Sequence, residues 1–421
     1  YFGTGPIKGF ATTLIIGILT SLFCAIFITR LIFESRISSK KQINFSNVIT
    51  NNAFKNTNIS FLAHRKKYYF LSALIILAGV VSLSTKGLNT GIDFEGGRTY
   101  IVSFQNSIDV GSIKNDLSKI FISDKGLEMT PDVKTFGSNK RVKITTNYKI
   151  NNNTMPIFLS NKNEEIFIED IGELFKEVSD SLKLSNSGKK KIASWEGKVK
   201  YLQKHGENIQ SIKVDNYVKS QLLVGLDKVG VDYVIENEQL VGPSIADEIK
   251  TSAFWSVIFS LILIFIYILI RFKKWQYSLG AVLAVFHDVL ILLSIFSIFY
   301  GLLPFSLEVD QAFIAAILTV IGYSLNDTVV VFDRIRENIT KVNDLSFIKL
   351  LNKSINETLS RTIMTSLTTL IALMALIVLG GQVISGFIIA MIWGVLIGTY
   401  SSIFIAASLI SLLGYKSKNN K

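Results

Sequence analysis

The sequence predicts an α-helical membrane bundle of about seven spans carrying one extracytoplasmic α+β domain, and three observations predict it. Apolar residues make up 49% of the 421-residue chain, while charged ones fall to 18%, below the roughly 25% of soluble domains. Hydrophobic runs of about 20 residues, enough to cross a hydrocarbon core at about 1.5 Å per residue, recur along the chain. Lysine and arginine collect in alternate loops between those runs, the charge pattern that fixes membrane topology.

The runs lie near residues 10–33, 69–86, 252–270, 275–300, 310–332, 362–379 and 386–413. The first does not read as a signal peptide, because it lacks a basic leading segment and a small-residue cleavage site. Arg30, Arg36, Lys40, Lys41, Arg65, Lys66 and Lys67 lie between the first two runs, and Arg271, Lys273 and Lys274 between the third and fourth. Arg334, Arg336, Lys341, Lys349 and Lys353 follow the fifth, whereas the turns at 301–309 and 380–385 contain no lysine or arginine. By the positive-inside rule the basic loops and the C-terminus face the cytoplasm, and residues 87–250 lie outside. The chain therefore divides into a first span over 1–34, a cytoplasmic linker over 35–68 and a second span over 69–86. The outer domain follows over 87–250, then a five-helix membrane domain over 251–414 and a cytoplasmic tail over 415–421. The net charge of +12 is on this reading a topology signal, not a nucleic-acid footprint. The lone cysteine, Cys24, lies inside the first run, so no intrachain disulfide is available and redox chemistry is disfavoured.

Two spans repeat one pattern. Gly3, Ile7, Gly9, Phe10, Gly17, Ile26 and Phe27 match Gly380, Ile384, Gly386, Phe387, Gly394, Ile403 and Phe404 at a single offset. The membrane unit thus reads as duplicated, with the second copy over about 254–413 and only the last helix of a first copy before it. Together with Tyr1 where an initiator methionine is usual, this predicts the C-terminal part of a longer protein. Duplicated membrane halves are typical of transporters, whose working sites form where the repeats meet. Gly394 and Gly398 also form a Gly-x-x-x-Gly pair that permits close helix packing.

In the outer domain Thr99–Phe104 is β-branched and aromatic and predicts a strand, while Val110–Phe121 has helical spacing at Ile113, Leu117 and Ile120. Val133–Phe136 and Val142–Thr146 predict a hairpin, Glu165–Leu182 a second amphipathic helix, and Val231–Leu240 a closing strand. The order β-α-β-β-α-β predicts a ferredoxin-like domain, with residues 183–225 as a solvated helical insertion. Asp93-Phe94-Glu95-Gly96-Gly97 reads as a turn into the first strand, since its ligand set is too small for a metal and no nucleotide motif surrounds it.

Charged residues inside the apolar runs are the functional candidates. Asp327 stands in the fifth run, about 7–8 Å inside the hydrocarbon boundary, where an unpaired carboxylate costs at least a few kcal/mol. Ser324, Asp327 and Val331 share a helical face, and Arg361, at the start of the sixth run, is followed on its own face by Thr365 and Thr368 or Thr369. A carboxyl held in oil can take and release a proton as a guanidinium withdraws or approaches. Asp327 and Arg361 thus form a candidate proton relay, with Ser324, Asn326 and Thr365 as supporting polar groups; a static ion pair, or an interfacial cluster with Asp333, Arg334 and Arg336, is the alternative. Asp288, beside His287 near the middle of the fourth run, reads equally as a structural hydrogen-bonding group or as a further relay member. No nucleotide, cofactor or metal motif accompanies these residues.

Gly91-Ile92-Asp93-Phe94-Glu95-Gly96-Gly97, Val241-Gly242-Pro243-Ser244, His287-Asp288-Val289 and the long stretch from Ile321 to Asn338 resemble the SecF branch of the SecD/SecF protein-export membrane proteins. The likeness covers about residues 61–414, and residues 3–30 resemble the last membrane helix of the SecD branch. Together they imply a fused SecDF polypeptide of the RND superfamily, whose members couple proton flow to work. The resemblance places the family's proton-transport acid on Asp327 and its arginine on Arg361, and leaves a third carboxylate to the SecD half. It implies no enzyme and no cofactor. It implies instead a multi-pass subunit of the bacterial inner membrane, partnered by the translocon channel (SecY/SecE/SecG-like), a YajC-like subunit, the SecD half and unfolded exported polypeptides. An RND-type exporter of a small molecule or lipid, an intramembrane aspartyl protease using Asp288 and Asp327, and a purely structural subunit are the rival readings. Against the protease reading, this sequence contains no Gly-x-Gly-Asp motif.

Overall fold

Seven helices among the described residues of the computed structural model are long and apolar enough to cross a membrane: Ala11–Ser38, Leu62–Thr85, Pro243–Phe272, Trp275–Phe299, Gln311–Lys341, Phe347–Leu379 and Ser385–Leu412. The structure describes residues 5–39, 57–122, 127–150, 154–159, 165–167, 209–302, 307–341, 345–379 and 384–413. The chain forms two units, one of Tyr1–Gly91 with Glu248–Lys421 and one of Ile92–Asp247.

In the helical unit α1 (Gly5–Phe23) passes through a π-helical turn, Cys24–Ile28, into α2 (Thr29–Ser38), and α3 (Arg65–Thr85) follows. The last span is built the same way, with α11 (Ser385–Ser401), a π-helical turn at Ser402–Ala406 and α12 (Ala407–Leu412). Under the offset that places Gly17 on Gly394, the two π turns fall one residue apart, so the repeat seen in the sequence returns in the backbone. Between them run α7 (Pro243–Phe272), α8 (Trp275–Phe299), α9 (Gln311–Lys341) and α10 (Phe347–Leu379). Helices α9 and α10 outlast their apolar runs because good helix formers continue them into a polar, ion-paired section, which places Arg361 well inside α10 and not at its start. Close packing of α11 on α9 depends on its glycines, since a Cβ at Gly394 would sit 2.0 Å from Val320 Cγ2 and one at Gly398 2.9 Å from Ser324 Cβ. Toward the other end Phe272, Tyr277 and Phe332 pack ring on ring, Tyr277 and Phe332 with centroids 5.1 Å apart.

The second unit opens with a short turn of helix, α4 (Ile92–Glu95), then Gly96 at φ +76° and Gly97, where a Cβ would meet the Thr146 carbonyl oxygen at 2.9 Å. This is the expected turn into β1 (Gly97–Phe104), and both positions need the missing side chain. Helix α5 (Val110–Ser118) is capped by Asp109, whose carboxylate accepts from the Gly111 and Ser112 amides. β2 (Asp132–Thr135) and β3 (Arg141–Thr146) form the hairpin, and β7 (Tyr233–Val241) closes a four-stranded antiparallel sheet in the order β2-β3-β1-β7. A second, three-stranded sheet contains β4 (Thr154–Leu159), β5 (Glu165–Phe167) and β6 (Ile209–Lys213) in the order β5-β4-β6.

Two expectations fail here. Residues Glu165–Phe167 are a strand, not the start of a second amphipathic helix; the remainder of that segment, 168–182, lies outside the described residues. The helix that partners α5 is instead α6 (Val214–Asp227), taken from the stretch read as a solvated insertion. Its Val214, Tyr217, Val218, Leu222 and Leu226 are buried against Ile113, Leu117 and Phe121, at the i, i+3, i+4 spacing of a core-facing stripe.

Candidate functional site

Both intramembrane acids are 2% exposed, yet their surroundings differ. Asp288, on α8, is saturated. Its Oδ2 accepts from Ser324 Oγ of α9 at 2.6 Å and from Ser401 Oγ of α11 at 2.7 Å, and its Oδ1 lies 2.9 Å from His287 Nδ1. His287 Nε2 reaches Ser72 Oγ of α3 at 2.8 Å, so four helices converge on one pair of side chains. Ser402 Oγ donates to the Ser324 carbonyl at 3.2 Å and Thr328 meets Ser402 at 3.0 Å, which extends the polar seam between α9 and the π turn. π turns of this kind are frequent at functional sites.

Asp327 lies one turn further along α9 and is poorly satisfied. Its Oδ1 accepts only a long hydrogen bond, 3.5 Å, from Thr365 Oγ1 of α10, whose hydroxyl is shared with the Arg361 and Thr362 carbonyls at 3.1 and 2.9 Å. Its Oδ2 has no hydrogen-bond partner among the described residues. The Arg361 guanidinium acts on Asp327 electrostatically, and among the described residues it has no carboxylate within salt-bridge reach. Arg361 lines a cleft of about 800 Å³ with Asp333, Arg334, Glu337 and Glu357.

The charges of the interfacial-cluster alternative pair with one another. Arg334 donates to Glu357 and Glu337, both at 2.7 Å, while Asp333 accepts from Arg271 at 3.0 Å and pairs with Arg336 at 2.8 Å. Of the expected supporting groups, Thr365 reaches Asp327 and Ser324 serves Asp288; Asn326 is on the exposed side of α9 and makes no hydrogen bond among the described residues. Ser72, Tyr400, Ser401 and Ser402 were not singled out from the sequence. The signal for the last three was present in the polar run Thr399-Tyr400-Ser401-Ser402 inside an otherwise apolar span. The two carboxyls share no hydrogen bond, each being engaged with its own partners, and no group of three or more metal-ligating residues occurs among the described residues.

Residues 222–416 match the family "Protein export membrane protein SecD/SecF, C-terminal", and residues 81–108 match the "SecD/SecF GG Motif", which includes Gly96 and Gly97. The protein translocase subunit SecF of Rhodothermus marinus is 38% identical over 362 residues, covering 85% of this chain and 94% of the relative. That of Thermodesulfovibrio yellowstonii is 34% identical, covering 86% and 96%. The crystal structure of SecDF, a translocon-associated membrane protein from Thermus thermophilus, superimposes with a TM-score of 0.66 at 26% identity over 98% of this chain. This chain spans about half of that one, 46% of its length.

Proposed function

Because the chain belongs to the SecF family of protein translocase subunits, we propose that it is an accessory subunit of the Sec translocon that uses the proton-motive force to promote export of unfolded polypeptides across the bacterial cytoplasmic membrane. The relatives that establish the family are SecF chains, 94% covered in the first case, whereas this chain spans 46% of the fused SecDF chain; SecF is the family assigned.

The observation that carries the energy coupling is Asp327, a 2%-exposed acid in an apolar span with one oxygen unpartnered and a guanidinium free to approach. Neither protonation state is fully satisfied there. The neutral acid has no acceptor for its proton at Oδ2, and the carboxylate lacks the hydrogen bonds and counter-charge that offset its burial. Approach of Arg361 favours the carboxylate and its withdrawal favours the acid, so proton exchange and helix movement are linked at one point. One charge crossing about 100 mV releases about 2.3 kcal/mol, so a few protons suffice for a domain movement. On this reading the C-terminus is cytoplasmic and the Ile92–Asp247 unit lies outside, where it holds emerging substrate through apolar surface. The partners are the translocon channel, a YajC-like subunit and a SecD half that supplies the remaining carboxylate. The reading requires no cofactor and no covalent chemistry.

The test is proton uptake and late translocation in inverted membrane vesicles holding the assembled export complex. Asp327→Asn abolishes both while membrane insertion stays normal; wild-type export by that variant refutes the proposal.

A further inference from the structure

The hydrogen bonds around Asp288 determine how many protons it shares with His287. Tyr400 Oη donates its single hydrogen to the Tyr68 carbonyl at 2.9 Å. The contact between Tyr400 Oη and Ser72 Oγ, 3.1 Å, is therefore donated by Ser72. Having spent its own hydrogen, Ser72 accepts from His287 Nε2 at 2.8 Å, which puts a proton on that nitrogen. On the other side, Asp288 Oδ2 accepts from both Ser324 and Ser401. The remaining contact, His287 Nδ1 to Asp288 Oδ1 at 2.9 Å, is satisfied by one hydrogen. With none, two lone pairs face each other; with two, two protons do. Either imidazolium faces carboxylate or imidazole faces carboxylic acid, and both forms are neutral overall.

We propose that His287 and Asp288 form a single-proton, net-neutral pair that positions α9 through Ser324 and does not itself carry protons across the membrane. The proposal rests on the reading that Asp327 is the carrier. Asp288 grips Ser324, which lies one helical turn from Asp327 on the same buried face of α9. Ser401 and Ser72 bring α11 and α3 to the same pair, and Gly398 lets α11 come close enough for Ser401 to reach, a Cβ there standing 2.9 Å from Ser324 Cβ. A pair whose four side-chain polar atoms all have partners, across four helices, is built to stay put. A carrier must lose partners in one state and gain them in another, which describes Asp327 and not Asp288.

The chemistry of asparagine gives a sharp test. In Asp288→Asn the side-chain amide can donate from Nδ2 to His287 Nδ1 and accept both serine hydroxyls at Oδ1, so every contact and the net charge of the pair are kept. Asp288→Leu keeps neither. Proton uptake by inverted vesicles holding the assembled complex is measured for both, beside Asp327→Asn. The expected result is that Asp288→Asn stays within about twofold of wild type with an unshifted pH profile, while Asp288→Leu falls by about tenfold or more through misplacement of α9. An inserted Asp288→Asn protein as inactive as Asp327→Asn overturns the proposal, because the acid proton would then be needed. The double variant Ser324→Ala, Ser401→Ala removes both donors without touching a titrating group; it is expected to slow uptake, and wild-type uptake by it equally overturns the positioning role. Failure of the Asp327 reading shows separately, as uptake surviving Asp327→Asn whatever Asp288→Asn does.

Discussion

The repeat offers a controlled test of helix packing, since Gly17 and Gly394 occupy equivalent positions in two copies of one element but meet different surroundings. At Gly394 an added Cβ would lie 2.0 Å from Val320 Cγ2, 2.8 Å from Cγ1 and 3.0 Å from Cβ, and Val320 is 1% exposed with nowhere to turn. Carbon atoms rest about 3.5–4.0 Å apart, so α11 must retreat from α9 by roughly an ångström or more. Overpacking of this kind costs about 1–3 kcal/mol, and three close atoms on a confined side chain put Gly394→Ala near the upper figure. Alanine regains about 1 kcal/mol in helix propensity, leaving a net loss of about 2 kcal/mol. Nothing lies within 4 Å of a Cβ at Gly17, so Gly17→Ala keeps the propensity gain alone and the two variants differ by about 3 kcal/mol. Equilibrium unfolding in mixed micelles measures the difference. Adding Val320→Ala to Gly394→Ala removes the two nearest atoms and recovers about 1–2 kcal/mol relative to the sum of the single changes. Equal stability of the Gly17 and Gly394 variants, or strict additivity with Val320→Ala, refutes the packing argument.

Further consequences are open to direct measurement. Arg98, whose side chain is 3% exposed, donates to Asp215 at 2.6 Å and to the Tyr148 carbonyl at 2.9 Å, so Asp215→Ala leaves a buried cation without its counter-charge and destabilises the Ile92–Asp247 unit by about 3 kcal/mol or more, read by denaturant unfolding. The Tyr233 hydroxyl is pushed up to about 12 by burial and by its hydrogen bond to Asp227. Its folded form holds the proton more tightly than the unfolded chain, so stability present below pH 10 is lost as pH rises toward about 12, and Tyr233→Phe flattens that loss in an alkaline unfolding series. Arg361→Lys keeps a positive charge but not the planar fork, and it is expected to slow proton uptake markedly where a purely Coulombic role would leave it unchanged.

Much of the architecture was legible because a bilayer imposes a long, unmistakable apolar signal, and each expected run lies within or overlaps a spanning helix. What the apolar run does not report is where a helix stops. Helices α9 and α10 continue into polar, ion-paired sections, and Arg361 consequently sits mid-helix. In the Ile92–Asp247 unit β1, the β2–β3 hairpin and β7 were readable from alternation and β-branching, but the helix Val214–Asp227 that packs on α5 was not recognised as a core helix. Glu165–Leu182 has helical periodicity, and so has Val214–Leu226; periodicity alone cannot say which stripe meets Leu117. At the site, Asp327 and Arg361 stood out because charge in oil is rare, whereas Ser72, Ser401 and Ser402 did not, because a serine in a span can bond its own preceding turn.

That difference between charge and hydroxyl shows in how differently two acids of equal burial are surrounded. Asp288 is surrounded by residues that each bring a hydroxyl or a ring nitrogen from a separate helix, and every added partner deepens one arrangement at the expense of others. Asp327 has Thr365 at 3.5 Å, a hydroxyl already claimed by two carbonyls, and a cation held off. A half-satisfied acid makes the folded state less stable than it could be, and such a defect persists in a well-packed span when the missing partner arrives in another state of the cycle. Filling it permanently should therefore stabilise and inactivate together. Asp327→Leu is expected to raise the unfolding midpoint while abolishing proton uptake, whereas an acid kept only for structure gives a lower midpoint when it is removed.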